Sequence, residues 1–155
     1  MKKNISFLTI LLLMASFFAS AQKSKAVADS NTMKMSFTQF ETWMKTLSPA
    51  GYPFTETGKN GPDFMATFMN KETFKMIGIT LSPISSFDDY KKAKKKNEPY
   101  LRNGMRHVFY GIDNFWNLKV EIKSLNACLE VTTVYINMDQ KGLEKIMDET
   151  GVYKK

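Results

Sequence analysis

Between Trp116 and Lys123 the chain alternates strictly: Trp116, Leu118, Val120 and Ile122 are apolar, while Asn117, Lys119, Glu121 and Lys123 between them are polar. Successive side chains of an extended strand point to opposite faces, so this pattern predicts a strand with one face on a core and one face wet. A half-wetted strand belongs in an antiparallel sheet. The neighbouring segments agree. Met105 to Ile112 is rich in aromatic and β-branched residues, and Gly111, Asp113 and Asn114 offer a turn before the alternating segment. After a tight turn at Ser124 to Ala127, Cys128 to Ile136 forms a third strand, with Leu129, Val131 and Tyr135 on one side and Glu130 and Thr132 on the other. Three consecutive strands with short turns make a meander.

Helices bracket this meander. Ser36 and Gln39 form a capping box, Met35 and Phe40 stand where a hydrophobic staple forms, and Phe37, Phe40, Trp43, Met44 and Leu47 recur at three- and four-residue intervals. Ser48-Pro49 ends that helix. A last helix is capped by Asp139, buries Leu143, Ile146 and Met147, and stops at Gly151. A further helix is expected from Ser85, because a cap, the acids Asp88 and Asp89, and the stripe Phe87, Tyr90 and Ala93 precede a run of lysines.

The remaining stretches are less regular. Ala50 to Pro62, with its glycines and prolines, predicts an irregular loop containing a short extended piece at Tyr52 to Thr55. Phe64 to Met69 and Phe74 to Leu81 suit either one helical face or two strands; the β-branched residues around Gly78 favour strands. The whole reads as an α+β domain, a largely antiparallel sheet of about five strands with helices packed on one face, in the order α-β-β-α-β-β-β-α.

The N-terminus specifies a destination. Lys2-Lys3, the apolar stretch Ile5 to Phe18 and Ala19-Ser20-Ala21 before Gln22 are the three parts of an export signal, so residues 1–21 are expected to be removed. The apolar run is shorter than the ~20 residues needed to cross a bilayer. The polar residues 22–34 are expected to form a flexible leader, and 35–155 a single domain in the periplasm or outside the cell, with no membrane span in the processed chain. Export makes nucleic acid an improbable partner. Loss of Lys2 and Lys3 with the signal leaves the rest mildly basic, which suits an envelope partner such as an anionic polymer or lipid.

Chemistry is limited by what is missing. One His (His107) and one Cys (Cys128) cannot supply a zinc centre or an internal disulfide. No Gly-x-Ser-x-Gly elbow or phosphate-cradling glycine motif occurs. The acids Asp88, Asp89, Asp113, Glu121, Glu130, Asp148 and Glu149 could pair for hydrolysis, but helix caps, turns and strand faces account for them. Eleven methionines include Met33-x-Met35 and Met65-x-x-x-Met69, spacings that could hold Cu(I) but that also suit core filling. Elimination therefore favours a non-catalytic binding or accessory domain without a cofactor, with Cu(I) binding or a hydrolase of scattered residues as alternatives. The candidate contact residues are Tyr52, Phe115 and Trp116, aromatic residues beside turns, and the lysines Lys94, Lys95 and Lys96.

Overall fold

Ser36 caps the first helix, α1 (Phe37–Lys45), as its sequence requires: its hydroxyl accepts from Gln39 N at 3.3 Å, and Gln39 Oε1 accepts from Ser36 N at 2.8 Å. This computed structural model describes residues 32–112 and 115–155; the expected export signal lies outside them, as does the expected leader up to residue 31. The last part of that leader is tied down, with Lys34 N donating to Leu125 O and Asn126 Nδ2 to Thr32 O.

Eight strands follow in one antiparallel sheet: β1 (Phe54–Asn60), β2 (Asp63–Asn70), β3 (Lys75–Pro83), β4 (Lys95–Lys96), β5 (Tyr100–Arg102), β6 (Met105–Ile112), β7 (Phe115–Ile122) and β8 (Ala127–Val134). Their order across the sheet is β1-β2-β3-β8-β7-β6-β4, with β5 also pairing β6. Two meanders, β1 to β3 and β6 to β8, are thus joined where β3 pairs β8. The second α-helix, α2 (Gln140–Glu149), is capped by Asp139, whose side chain accepts from Gly142 N, and is followed by Gly151 in the left-handed conformation.

The sheet is larger than the five strands expected, and the differences have local causes. The segment read as a loop contains β1, an edge strand whose sequence Phe-Thr-Glu-Thr-Gly-Lys-Asn is polar because only one side meets another strand. Residues 64–81 form two strands. Between Ile84 and Lys92 a 3-10 helix replaces the expected α-helix; Pro83 stands at its cap position and no side chain caps it. Beyond it come the short strands β4 and β5, which were not anticipated. Asn103 and Gly104 both have positive φ and turn β5 into β6 through a two-residue hairpin.

Alternation sorts the core. Phe68, Ile77, Ile79, Leu81, Leu118, Val120, Leu129 and Val131 share one face with Phe40, Trp43 and Met44 of α1 and Leu143, Ile146 and Met147 of α2. Helices α1 and α2 cover this face. The opposite face carries a smaller cluster, Val108, Tyr110 and Cys128, under Phe87, Tyr90 and Ala93 of the 3-10 segment. That cover changes the expected wet face of β7: Asn117 and Lys119 are buried. Glu130, taken as an exposed strand residue, is half-buried and pairs with Lys119 at 2.9 Å.

Candidate functional site

Trp116 pairs directly with Gly111 across the β6–β7 hairpin. A Cβ at position 111 would lie 3.0 Å and 3.2 Å from indole carbons of Trp116, so the glycine makes room for the ring to lie over the backbone. The indole stacks on Phe109 with centroids 4.9 Å apart and planes 9° from parallel. Lys95, opposite Gly111 on its other side, holds its ammonium 5.8 Å from the centre of the indole. Asn137, Met138, Asp139 and Gln140, leading into α2, complete a cleft of about 510 Å³ with Phe109 and Trp116.

The wall of this cleft is held from behind. Gln140 accepts from Asn97 Nδ2 at 3.2 Å and donates to Glu144 at 2.9 Å. Glu144 also accepts from Tyr100 Oη at 2.6 Å. Arg102 lies 3.7 Å from Glu144 and forms a bidentate pair with Asp148 at 2.6 Å and 2.7 Å. Arg102 also donates to Tyr153 Oη at 2.6 Å, and Tyr153 Oη lies 2.9 Å from His107 Nε2. His107 Nδ1 is 3.0 Å from Met105 O. These contacts assign a neutral tautomer, with Nδ1–H donating to the carbonyl and Nε2 accepting from Tyr153. Burial of the ring and the nearby Arg102 guanidinium hold His107 below the ordinary histidine range. Both ring nitrogens are committed, leaving no free lone pair for a general base.

Cys128 is equally poor as a nucleophile. Burial pushes its thiol up to about 12, and its Sγ contacts Pro83 O at 3.5 Å. The sheet also separates it from His107, because His107 shares the helix-covered face with Val120 and Leu129 while Cys128 points the other way. Beside Cys128, burial would lower Lys119, but the surrounding acidic groups, Glu130 foremost with Asp89, together keep the ammonium above its ordinary value. Lys119 further donates to Ser86 O at 3.2 Å, tying the 3-10 segment to the sheet.

Trp116 and Lys95, two of the six residues singled out from sequence, therefore meet at the indole, and Trp116 of the two lines the cleft. The other four do not join them. Phe115 faces the other side of β7, and Tyr52 packs against the helix-covered core just before β1, at the opposite edge of the sheet. Lys96 Nζ bonds Lys91 O at 2.9 Å and Ala93 O at 3.1 Å, which closes the end of the 3-10 segment. Lys94 is exposed and makes no ion pair among the described residues. Lys91 and Lys92 of the same run pair with Asp88 and Asp89. Phe109, Asn137 and Gln140 were not singled out; the step from Phe109 to Gly111, which puts both on one strand face, was the signal available for the first.

Methionines are divided by the sheet. Met44 and Met147 are in the helix-covered core, while Met65, Met69 and Met76 lie on the opposite face. A four-residue step along a strand separates Met65 from Met69 by about 13 Å, rather than stacking them as a helix would. No helix among the described residues is long and apolar enough to cross a membrane, and these residues contain no group of three His, Cys, Asp or Glu that could hold a metal. No family model matches the chain, and no curated protein or solved structure matches it either.

Proposed function

We propose that this chain is an exported, non-catalytic binding module of the cell envelope, and that it holds its ligand in the Phe109–Trp116 cleft. The observation that carries this reading is the Phe109–Trp116 aromatic stack in the cleft lining, with Asn137 beside it and the Lys95 ammonium 5.8 Å from the indole centre. An apolar floor with a few placed polar groups is the ordinary composition of a small-molecule site. Aromatic surface takes the less polar face of a ring, amides pair with hydroxyls, and an ammonium favours an acidic substituent. A sugar unit of an acidic envelope glycan has all three features. The commitments of His107 and Cys128 support binding rather than turnover.

Calorimetric titration with acidic envelope oligosaccharides tests this. The wild-type protein is expected to bind, and Trp116→Ala to lose about tenfold or more in affinity, equivalent to about 1.4 kcal/mol. Asn137→Ala removes a lining side chain and Lys95→Gln the ammonium beside the indole, so they report on the cleft even if loss of the indole loosens the hairpin. Absence of heat with the acidic oligosaccharides, or equal affinity in all three variants, rejects the cleft.

A further inference from the structure

Among the described residues, three of the four exposed large apolar side chains lie at one end of the sheet. Phe74 (48% exposed) is in the β2–β3 turn, Ile112 (49%) ends β6, and Tyr135 (65%) follows β8. The strand register places them together: Met76 pairs Val134, so Phe74 and Tyr135 continue past that pair, and Ile112 pairs Phe115 in the same end row of the sheet. Phe74 and Tyr135 have φ of +56° and +59°, a conformation that bulky side chains adopt at a cost. Neither ring recovers that cost through burial. Asn70 holds the first turn in place, its Oδ1 accepting from Glu72 N and Thr73 N at 3.0 Å each and its carbonyl from Phe74 N at 2.8 Å.

Three lysines flank these tips, with Glu72 and Asp113 the acids nearest in sequence. Lys71 and Lys75 flank Phe74 and are exposed, and Lys94, one residue before the Lys95–Gly111 pair, lies alongside Ile112. None of the three lysines makes an ion pair among the described residues, and Glu72 is the acid between the first two. We infer that this end of the sheet seats on an anionic lipid bilayer, with Phe74, Ile112 and Tyr135 entering the interface and Lys71, Lys75 and Lys94 against the headgroup phosphates. Apolar tips within a basic rim match such a surface in both hydrophobicity and charge. A soluble polyanion would engage the lysines and leave the three apolar side chains in water. This surface is separate from the Trp116 cleft and does not depend on its ligand.

The test is vesicle co-sedimentation of the processed chain from Gln22, since residues 5–18 would partition into lipid by themselves. Phosphatidylcholine vesicles are compared with vesicles containing phosphatidylglycerol, and a polyphosphate resin is run in parallel. Binding is expected with the anionic vesicles and is expected to weaken with salt. F74N/I112T/Y135N should lower partitioning by about tenfold or more, with asparagine chosen because it tolerates the left-handed backbone. K71Q/K75Q/K94Q should lower it by roughly fivefold per lysine. Retention on polyphosphate without vesicle binding would overturn the proposal in favour of a polymer. Equal binding to neutral vesicles, no vesicle binding, or wild-type partitioning of the first variant with its circular dichroism unchanged would overturn it as well.

Discussion

The two faces of the sheet solve the same problem with different means. Under α1 and α2 the face is apolar from β2 to β7 apart from Thr133, which donates to Ile136 O, and a polar cluster lies at the β5–β6 border, where Tyr100, Arg102, His107, Glu144, Asp148 and Tyr153 satisfy one another. The other face puts Asn117, Lys119, Glu121 and Glu130 under a single 3-10 segment. Those groups are matched in local pairs: Thr132 Oγ1 donates to Asn117 at 2.6 Å and Lys119 meets Glu130, while Glu121 Oε2 is buried without a partner. One layer excludes water by packing two long elements. The other is a thin cover that holds because most of the polar groups beneath it are already paired.

The largest expected effect separates the faces directly. Leu129 is fully buried beneath the α-helices, and Leu129→Ala should cost about 3 kcal/mol in urea unfolding because the surrounding layers cannot close the cavity. Phe87 is nearly as buried, yet its cover can detach locally, so Phe87→Ala should cost less globally and release amide exchange in the 3-10 segment. Equal losses with no local exchange would show that both layers unfold as one unit.

Next in size is the border network. Tyr153→Phe removes the hydroxyl that receives from Arg102 and donates to His107, and should cost about 1–2 kcal/mol near neutral pH. Its pH dependence has a definite sign. Burial depresses the folded pKa of His107, so the unfolded chain binds the proton more readily; the contribution of His107 is complete above the unfolded value of about 6.5 and is lost as pH falls toward the lower folded value. Burial opposes ionisation of Glu144, but its bonds from Tyr100 and Gln140 and the Arg102 charge leave it below the ordinary range. Its stabilising part is therefore lost only at more acidic pH, as it falls below the unfolded carboxylate value. Urea midpoints of wild type and His107→Gln from pH 8 to 5 should converge as the pH falls; parallel lines would remove His107 from the network.

These two regions also differ in how much the sequence reveals. The helix-covered layer was legible because its signals are local: the capping box of α1, the Asp139 cap of α2 and the alternation of β7 each specify their own element. Asn103-Gly104 is an equally local hairpin signal for β5 and β6. The 3-10 cover was not legible as such, because the acid-first, lysine-last order of residues 85–96 suits an α-helix, whereas Lys96 closes a 3-10 segment and then enters β4. The cleft depends on the same element. Lys95 reaches Trp116 through β4–β6 pairing, and Asn137 to Gln140 arrive from the far end of β8, so only the residues beside the turn could be nominated from local pattern.

The smallest expected effect tests whether charge near the thin cover matters in itself or only where water is excluded. Lys92 and Asp89 lie 2.6 Å apart on the exposed side of the 3-10 segment, with side chains 83% and 53% accessible. Water screens that pair and both side chains lose freedom in forming it, so Lys92→Gln should change stability by less than about 0.5 kcal/mol, and less still at high salt. Urea unfolding at low and high ionic strength measures it. A loss approaching that of Tyr153→Phe would mean that the surface pairs hold the 3-10 segment down from outside. A negligible loss leaves that task to Phe87, Tyr90 and the Lys119 bond to Ser86, which lie between the segment and the sheet.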